Sequence, residues 1–191
     1  MRAVTTLLCI LTVSACLLPE VVRAQSDDVP EHYSGSLGFH NTTAPLGGRY
    51  WFGGQKVGLD FGLGFSSEPA PLDSDESLKS WAIEAGVPFV LKNWDKVHLL
   101  GRPGVMFESQ EVQTSGPTEP FDTDSETNLS VTFEIEAEIF IVNNFSVSAS
   151  EGIGFFQFSP AGDGDSTTSF GTLGNNFSHI GFHVYFFGPK G

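Results

Sequence analysis

The chain has 191 residues and a formal net charge of −14, with 23 acidic against 9 basic side chains. Such an acidic chain is a poor partner for nucleic acid, because phosphates are bound by basic groups. Both cysteines, Cys9 and Cys16, precede residue 25, so the rest of the chain has no disulfide and no thiolate metal site. At about 167 residues, that remainder is one domain of ordinary size.

The first 24 residues have the pattern of a secretory signal peptide. An apolar stretch from Leu7 to Leu18 is followed by Val22-Arg23-Ala24, whose small-residue spacing a signal peptidase recognises. We therefore expect residues 1–24 to be a signal peptide cleaved near Ala24, and residues 25–32 to be a disordered lead-in. The domain proper is then residues 33–191.

A lipoprotein signal is the alternative for the same leader. Val13-Ser14-Ala15-Cys16 resembles a lipobox, which would leave Cys16 as an acylated N-terminus. The Leu17-Leu18-Pro19 that follows is more apolar than the tether expected after a lipidated cysteine, so cleavage near Ala24 is preferred.

Large apolar residues alternate with small or polar residues along most of the domain. From Val57 to Phe65 every odd position is large and apolar, and every even position is Gly or Asp. The same alternation runs from Leu129 to Ile139 and from Ile180 to Phe186. Because successive side chains of a strand point to opposite faces, the pattern predicts strands with one apolar face.

Eight strands are predicted, joined by links that are alternately short and long. The strands lie near 33–41, 44–52, 56–66, 78–91, 96–108, 127–141, 145–158 and 176–187. Tight turns with Gly or Asn alternate with acidic links rich in Pro, Gly and Ser, near 67–77, 109–126 and 159–175. This rhythm is typical of an outer-membrane barrel, which has short periplasmic turns and long external loops.

The second face of the strands decides the environment. A soluble barrel buries its apolar face and needs a hydrophilic outer face. Here the other face is mostly Gly, Ser and Ala with isolated charges, which suits the crowded interior of a small cylinder. The sequence therefore predicts an all-β, eight-stranded antiparallel up-and-down transmembrane β-barrel whose apolar face meets lipid. A soluble secreted barrel that binds an apolar ligand inside is the alternative with the opposite facing.

Charge is divided between the two ends of the predicted barrel. Lys56, Lys92, Lys96 and Lys190 fall on or beside the short-turn rim. The long links are predicted to form acidic extracellular loops. The acidic residues of these links are Glu68, Asp73, Asp75, Glu76, Glu111, Glu119, Asp122, Asp124, Glu126, Asp163 and Asp165. Carboxylates in such loops are suited to hard cations, so Ca²⁺ or Mg²⁺ is a candidate partner there, alone or bridging to lipopolysaccharide phosphates.

Two local features qualify the scheme. Aromatic residues gather near strand ends, in Tyr50-Trp51-Phe52 and Tyr185-Phe186-Phe187, where they are predicted to form an interfacial girdle. Glu151 has the parity of the lipid face, so either a bulge near Gly152 or Gly154 turns it inward or it stands against the predicted register.

Two neighbouring segments resemble a known class of protein. Leu46-Gly47-Gly48-Arg49-Tyr50-Trp51-Phe52, followed by a short Gly turn and then the alternating run from Val57 to Phe65, is similar to bacterial outer-membrane proteins of the small eight-stranded β-barrel superfamily. The resemblance implies the outer membrane of a diderm bacterium, with lipopolysaccharide and the barrel-assembly machinery as partners. Such barrels usually end on an aromatic residue, so Phe187 is predicted to end the last strand although four residues follow it.

The alternation also assigns side chains to the lumen. The charged residues and histidines of luminal parity are Arg49, Asp60, Glu84, His98, Arg102, Glu134, Glu136, Glu138, His179 and His183. Because an unpaired buried charge costs several kcal/mol, we expect the two arginines to pair with some of these carboxylates and fill the barrel. Carboxylates still outnumber arginines, so some are expected to be protonated, solvated or bound to a cation. His179 and His183 are about 13 Å apart along a strand, so one metal ion does not easily bridge them.

No catalytic motif stands out. Lipid A deacylases of this fold use a His and a Ser facing lipid, and Ser178-His179 invites the comparison, but His179 has luminal parity. We expect neither an enzyme nor a cofactor. The first hypothesis is a side-chain-filled barrel with a structural or surface-interaction role through its acidic loops. A narrow cation-preferring pore for small solutes is the alternative.

Overall fold

A computed structural model describes residues 33–70, 75–114, 121–162, 164–172 and 178–190, without the side chains of the last two. The ten strands are β1 (Tyr33–His40), β2 (Leu46–Trp51), β3 (Gly58–Pro69), β4 (Ser77–Gly86), β5 (Phe89–Trp94), β6 (Val97–Gln113), β7 (Thr123–Val142), β8 (Phe145–Ser159), β9 (Thr167–Gly171) and β10 (Ser178–Lys190). One turn of 3-10 helix spans Gly53–Gln55. None of the described residues belongs to a helix with the length and hydrophobicity of a membrane span. The predicted signal peptide and lead-in, residues 1–32, lie outside the described residues and stay predictions.

The strands form a closed antiparallel barrel with eight positions around its wall. Each strand pairs with its neighbours in the order β1, β2, β3, β4, β6, β7, β8 and β10, and β10 pairs back onto β1. β5 pairs with β6 below β4, and β9 pairs with β8 above β10, so each of these short strands shares a wall position with a longer one. The predicted eight-stranded antiparallel barrel is confirmed.

The wall has its apolar face outside. On the outer surface Leu63 is 56% exposed, Phe65 74% and Ile180 67%, whereas Arg49 is 1% exposed and Glu138 is fully buried. A water-soluble protein would have the reverse distribution, because burying apolar area is favourable and burying charge is costly. The chain therefore has the architecture of an outer-membrane β-barrel.

One predicted strand, near 78–91, is interrupted. β4 ends at Gly86 and β5 begins at Phe89, with Val87 and Pro88 between them. Proline has no backbone N–H to give to a sheet ladder, which limits it to edges and breaks. Its carbonyl still accepts a hydrogen bond from the backbone N–H of Gly58 at 2.8 Å, so β3 stays attached across the break.

The long links are shorter than predicted, because the strands continue into them. β6 and β7 stay paired from Val97 opposite Ile139 to Gln113 opposite Thr123, well beyond the predicted ends. β9 lies inside the predicted 159–175 link. The last strand continues past Phe187 to Lys190, whose backbone pairs opposite Tyr33 after a register shift. The prediction that Phe187 ends the strand is therefore wrong by three residues.

The lumen is closed by apolar side chains at the end where the short turns lie. Trp51, Val90, Leu100, Phe140 and Tyr185 form a buried cluster there, hereafter the short-turn plug. Trp51 and Tyr185 were predicted to belong to the interfacial girdle, but they are 1% and 0% exposed. Their parity matches that of the luminal charges, which explains the inward direction.

Candidate functional site

The interior above the plug is an ion-pair network centred on two arginines. Arg49, on β2, makes two hydrogen bonds to Asp60 on β3, at 2.8 and 2.9 Å. It also crosses the lumen to β7, where it reaches Glu136 at 2.7 Å and Glu138 at 3.0 Å. All five guanidinium N–H groups are fixed donors, so Arg can hold several carboxylates at once.

The second arginine completes the network from the strand next to β7. Arg102, on β6, donates to Asp60 at 2.8 Å and to Glu134 at 3.1 Å, and it also pairs with Glu84 on β4. Asp60 is therefore shared by both arginines. Arg102 is 4% exposed, so the whole arrangement is removed from water.

Hydroxyl groups and histidines bind the remaining oxygens of two glutamates. Glu138 accepts hydrogen bonds from the Ser146 hydroxyl at 2.6 Å and the Tyr185 hydroxyl at 2.8 Å. Glu134 accepts one from the Ser150 hydroxyl at 2.9 Å and lies 3.2 Å from Nδ1 of His179. These contacts stabilise the charged form of each carboxylate, because they replace the water lost on burial.

The structure places all ten predicted luminal side chains inside the wall. Nine of them are buried, and His179 is 12% exposed at its side chain. The His98 ring packs on Phe140 of the plug, with ring centroids 5.0 Å apart. His183 contacts Glu138 at 3.7 Å and lies 3.1 Å from His40, Nε2 to Nε2.

Sequence reasoning missed His40 and the serines of the network. His40 has the same parity as Ser34 and Ser36, which are 4% and 1% exposed in the lumen, so the alternation of β1 could have found it. Ser146 and Ser150 alternate with apolar residues on β8 and could have been found in the same way.

A small cavity lies at the outward end of the network. Its volume is about 10 Å³, room for about one water molecule. The lining residues are His40, Arg102, Glu134, Glu136, Ser148, Ser150, His179 and Gly181. Oε1 of Glu136 and Nε2 of His179 are buried and have no hydrogen-bond partner among the described residues. Nowhere in the described ranges do three His, Asp or Glu side chains form a group that could hold a metal ion.

The acidic residues predicted for external loops fall into three groups. Asp75, Glu76, Asp122 and Asp165 lie in connections, and Asp73, Glu119 and Asp163 lie outside the described residues. Glu68, Glu111, Asp124 and Glu126 lie on strands β3, β6 and β7, so the prediction that they belong to loops is wrong. Polar side chains on both sides of an antiparallel ladder are compatible with strands that continue into water.

Two side-chain hydrogen bonds link strands at the end of the barrel where the long connections lie. The Asp124 carboxylate accepts a hydrogen bond from the backbone N–H of Gly162 at 2.5 Å, which links the start of β7 to the connection after β8. Glu111 accepts one from the backbone N–H of Lys79 at 2.9 Å, across the β4–β6 pair.

Glu151 keeps the parity of the lipid face. β8 pairs with β7 without a bulge around it, and Glu151 lies opposite Ile135. Its side chain is exposed and accepts a hydrogen bond from the Ser178 hydroxyl at 2.5 Å. The alternative of an inward bulge is therefore wrong. Since Ser178 points outward while the adjacent His179 contacts Glu134 inside, the Ser178-His179 pair does not form a nucleophile and its base.

Comparison with known proteins gives one likeness and no family. No family model matches the chain, and no curated protein matches it. Among solved structures, Ail, the attachment invasion locus protein of Yersinia pestis, aligns over 80% of this chain and 93% of its own with 15% identity and a TM-score of 0.39. The fold is established by the strand pairing and the burial pattern of the chain itself.

Proposed function

We propose that this chain is an outer-membrane β-barrel of a diderm bacterium, closed to solutes, that acts at the cell surface through its acidic outer end. The observation that carries the proposal is the inside-out wall: an apolar exterior around a lumen filled by charged side chains. An apolar outer surface is stable in contact with hydrocarbon, and a closed sheet leaves no strand edge with unpaired backbone groups there.

Membrane location is the first part to test. Fractionation of cells expressing the full chain should recover it with the outer membrane, and the folded form should migrate differently from the boiled form on a gel. Recovery in the soluble periplasm without detergent would overturn the proposal and favour the soluble ligand-binding barrel.

Orientation is tested by single cysteines, because residues 25–191 contain none. With a membrane-impermeant thiol reagent on intact cells, Glu76→Cys should be labelled and Asn143→Cys should not. Glu76 lies in the connection between β3 and β4, and Asn143 in the turn between β7 and β8. Labelling of Asn143→Cys alone would reverse the orientation.

The outer end supports a role in contacts with ions or with another surface. Its described acidic residues are concentrated on the side where β3, β4, β6, β7 and β8 extend, and a surface of one charge attracts cations. We propose divalent cations, alone or bridging to lipopolysaccharide phosphates, as partners. Added Ca²⁺ should slow proteolysis of the outer connections. Replacement of Asp75, Glu76 and Asp165 by Asn or Gln should abolish that effect, and an unchanged rate in the parent chain would contradict it.

A narrow cation-preferring pore is the second candidate function. The excess of carboxylates over arginines in the lumen favours it, whereas the short-turn plug opposes it. Planar-bilayer recording separates the two, because a plugged barrel should give no steady conductance and a pore should give cation-selective steps.

A further inference from the structure

We infer that the part of the wall that rises above the β1–β2 connection binds, on its concave side, an extended polypeptide segment with both basic and apolar side chains. The inference rests on the proposed surface role and deepens it, because it names the partner that the outer end contacts. The surface lies above the luminal network, on the upper parts of β3, β4, β6, β7 and β8.

The unbroken pairing of these strands determines which residues line the surface. The upper parts of the five strands pair without a register shift, so residues of luminal parity continue to point to the inside of the curve. None of the lining side chains is buried, in contrast to most luminal side chains below them, so the surface is open to solvent. The residues that define this surface, hereafter the inner face, are Glu68, Leu78, Glu108, Asp124, Glu126 and Phe158.

The connection between β1 and β2 closes the bottom of the inner face. Ala44 in that connection is 2% exposed, and the Thr43 hydroxyl donates a hydrogen bond to Sδ of Met106 at 3.3 Å. Ser130 lies opposite Met106 and is 2% exposed, yet its hydroxyl has no hydrogen-bond partner among the described residues. The inner face is therefore the wall of a recess with a floor, and a buried polar group at its base favours a ligand that supplies a hydrogen bond.

The charge of the inner face selects a basic partner. Glu108 on β6 lies opposite Asn128 on β7. Glu126 precedes Asn128 by two residues, so the two carboxylates are diagonal neighbours on one face, and like charges repel. No Lys or Arg of the described ranges has the parity of this face, so a cationic side chain of a partner would relieve the repulsion. A second copy of the chain does not fit, because its formal net charge is −14.

The spread of the carboxylates and the apolar side chains among them select a polypeptide over a metal ion. Glu68 and Asp124 lie three strand spacings apart, about 14 Å. No group of three His, Asp or Glu side chains in the described part of the chain could hold a metal ion. Phe158 lies in the same row as Glu108, two strands away, and Leu78 lies opposite Glu68. One extended segment with basic and apolar side chains can contact both kinds of group, and burial of the apolar ones adds affinity.

The test is fluorescence anisotropy of a labelled peptide mixed with the full barrel in a non-ionic detergent. The probe is a decapeptide that alternates Lys and Tyr, and the comparison decapeptides alternate Glu with Tyr and Lys with Ser. We expect the Lys–Tyr peptide to bind, and to bind more weakly as salt is added. The Lys–Ser peptide should bind about tenfold more weakly, because it lacks aromatic rings, and the Glu–Tyr peptide should not bind. No binding of the Lys–Tyr peptide beyond that to empty micelles would overturn the inference, and so would equal binding of the Lys–Ser peptide.

Paired charge variants locate the binding surface. Glu108→Gln with Glu126→Gln should weaken binding of the Lys–Tyr peptide about tenfold, through the loss of two solvent-accessible ion pairs. Glu76→Gln with Glu111→Gln removes the same amount of charge away from the inner face and should leave the affinity nearly unchanged. Equal weakening by both pairs would overturn the inference, because net charge alone would then explain the binding.

A second pair of variants keeps the inference testable if the charge variants do not fold. Phe158→Ala removes an apolar side chain of the inner face and should weaken binding about threefold to tenfold. Phe155→Ala removes the same group from the outer surface of the same strand and should not weaken binding. Equal affinities of these two variants would overturn the inference.

Failure of this inference is distinguishable from failure of the proposed function. A barrel that fractionates with the outer membrane and whose Glu76→Cys variant is labelled on intact cells, but which does not bind the Lys–Tyr peptide, overturns the inference alone. Recovery of the chain in the soluble periplasm overturns the proposed function, whatever the peptide does.

Discussion

Arg49 donates a hydrogen bond of 3.0 Å to Glu138 on the strand diametrically opposite its own. β2 and β7 are separated by three wall positions in either direction around the barrel. The contact therefore spans the full width of the lumen and holds two opposite walls together. The backbone hydrogen bonds between neighbouring strands do not reveal such a contact across the lumen.

Loss of Arg49 should destabilise the barrel strongly. Arg49→Met removes the positive charge shared by Asp60, Glu136 and Glu138 and leaves buried carboxylates uncompensated, so we expect a loss of about 3–5 kcal/mol in the free energy of unfolding. Denaturant titration in lipid vesicles measures it. Lys56→Met, at a short turn, is the control and should change stability by less than about 0.5 kcal/mol. Equal effects of the two variants would contradict the role given to Arg49.

Glu151 should reduce the stability of the barrel in a bilayer. It lies on the outer surface between the apolar positions of Ala149 and Ile153, where a charged group is unfavourable. Glu151→Leu should raise the free energy of unfolding in lipid by about 1–2 kcal/mol, since acidic side chains cost less than basic ones on this face. Glu111→Leu, near the outer end of β6, is the matched control and should have a smaller effect. A loss of stability in Glu151→Leu would show that the hydrogen bond from the Ser178 hydroxyl outweighs the cost of the charge on this face.

Gly64 should not tolerate a side chain. A Cβ atom there would overlap the carbonyl oxygen of Thr43 in the connection between β1 and β2. Gly64→Ala should therefore cost about 1–3 kcal/mol, as overpacking generally does. Gly53→Ala is the control, because nothing lies within 4 Å of the added atom. Comparable gel shifts and unfolding midpoints for both variants would contradict the close approach.

The short-turn plug should be the barrier to ions. The parent barrel should show no steady conductance, and replacing both Trp51 and Phe140 by Ala should allow cation-selective conductance, because it removes two of the largest side chains of the plug. Phe65→Ala with Phe155→Ala, on the outer surface, provides a matched pair that should stay closed. Conductance in the parent barrel would show that the plug does not seal the lumen.

The alternation of side chains predicted most of the wall. One face of each strand meets lipid, and with a period of two a shift of one residue would turn every side chain to the other face. The inward position of Glu134, Glu136 and Glu138 follows from that rule alone. The same rule would have turned Trp51 and Tyr185 inward. Their chemical likeness to membrane-interface aromatics led to the wrong prediction for both.

The remaining differences between the prediction and the structure come from strand pairings and contacts across the lumen, which the sequence of a single strand does not reveal. The continuation of β6 to Gln113 depends on its partner β7, since polar residues form a ladder only where another strand is beside them. β9 forms because β8 extends past the start of β10 and leaves an edge to be covered. Which carboxylate each arginine binds depends on distances across the lumen, and sequence spacing carries no such information.

The wall of the barrel is higher on one side than on the other, and this places acidic charge well above the lower rim. The connection between β1 and β2 lies level with Leu63 of β3, yet β3 continues six residues further to Pro69. With a rise of ~3.3 Å per residue and the usual strand tilt, this side stands roughly 15 Å higher. The Debye length in physiological salt is only ~8 Å, so acidic groups raised this far are largely screened from lipid phosphates level with the lower rim. The taller side can therefore present negative charge to a partner without repelling the membrane surface beneath it.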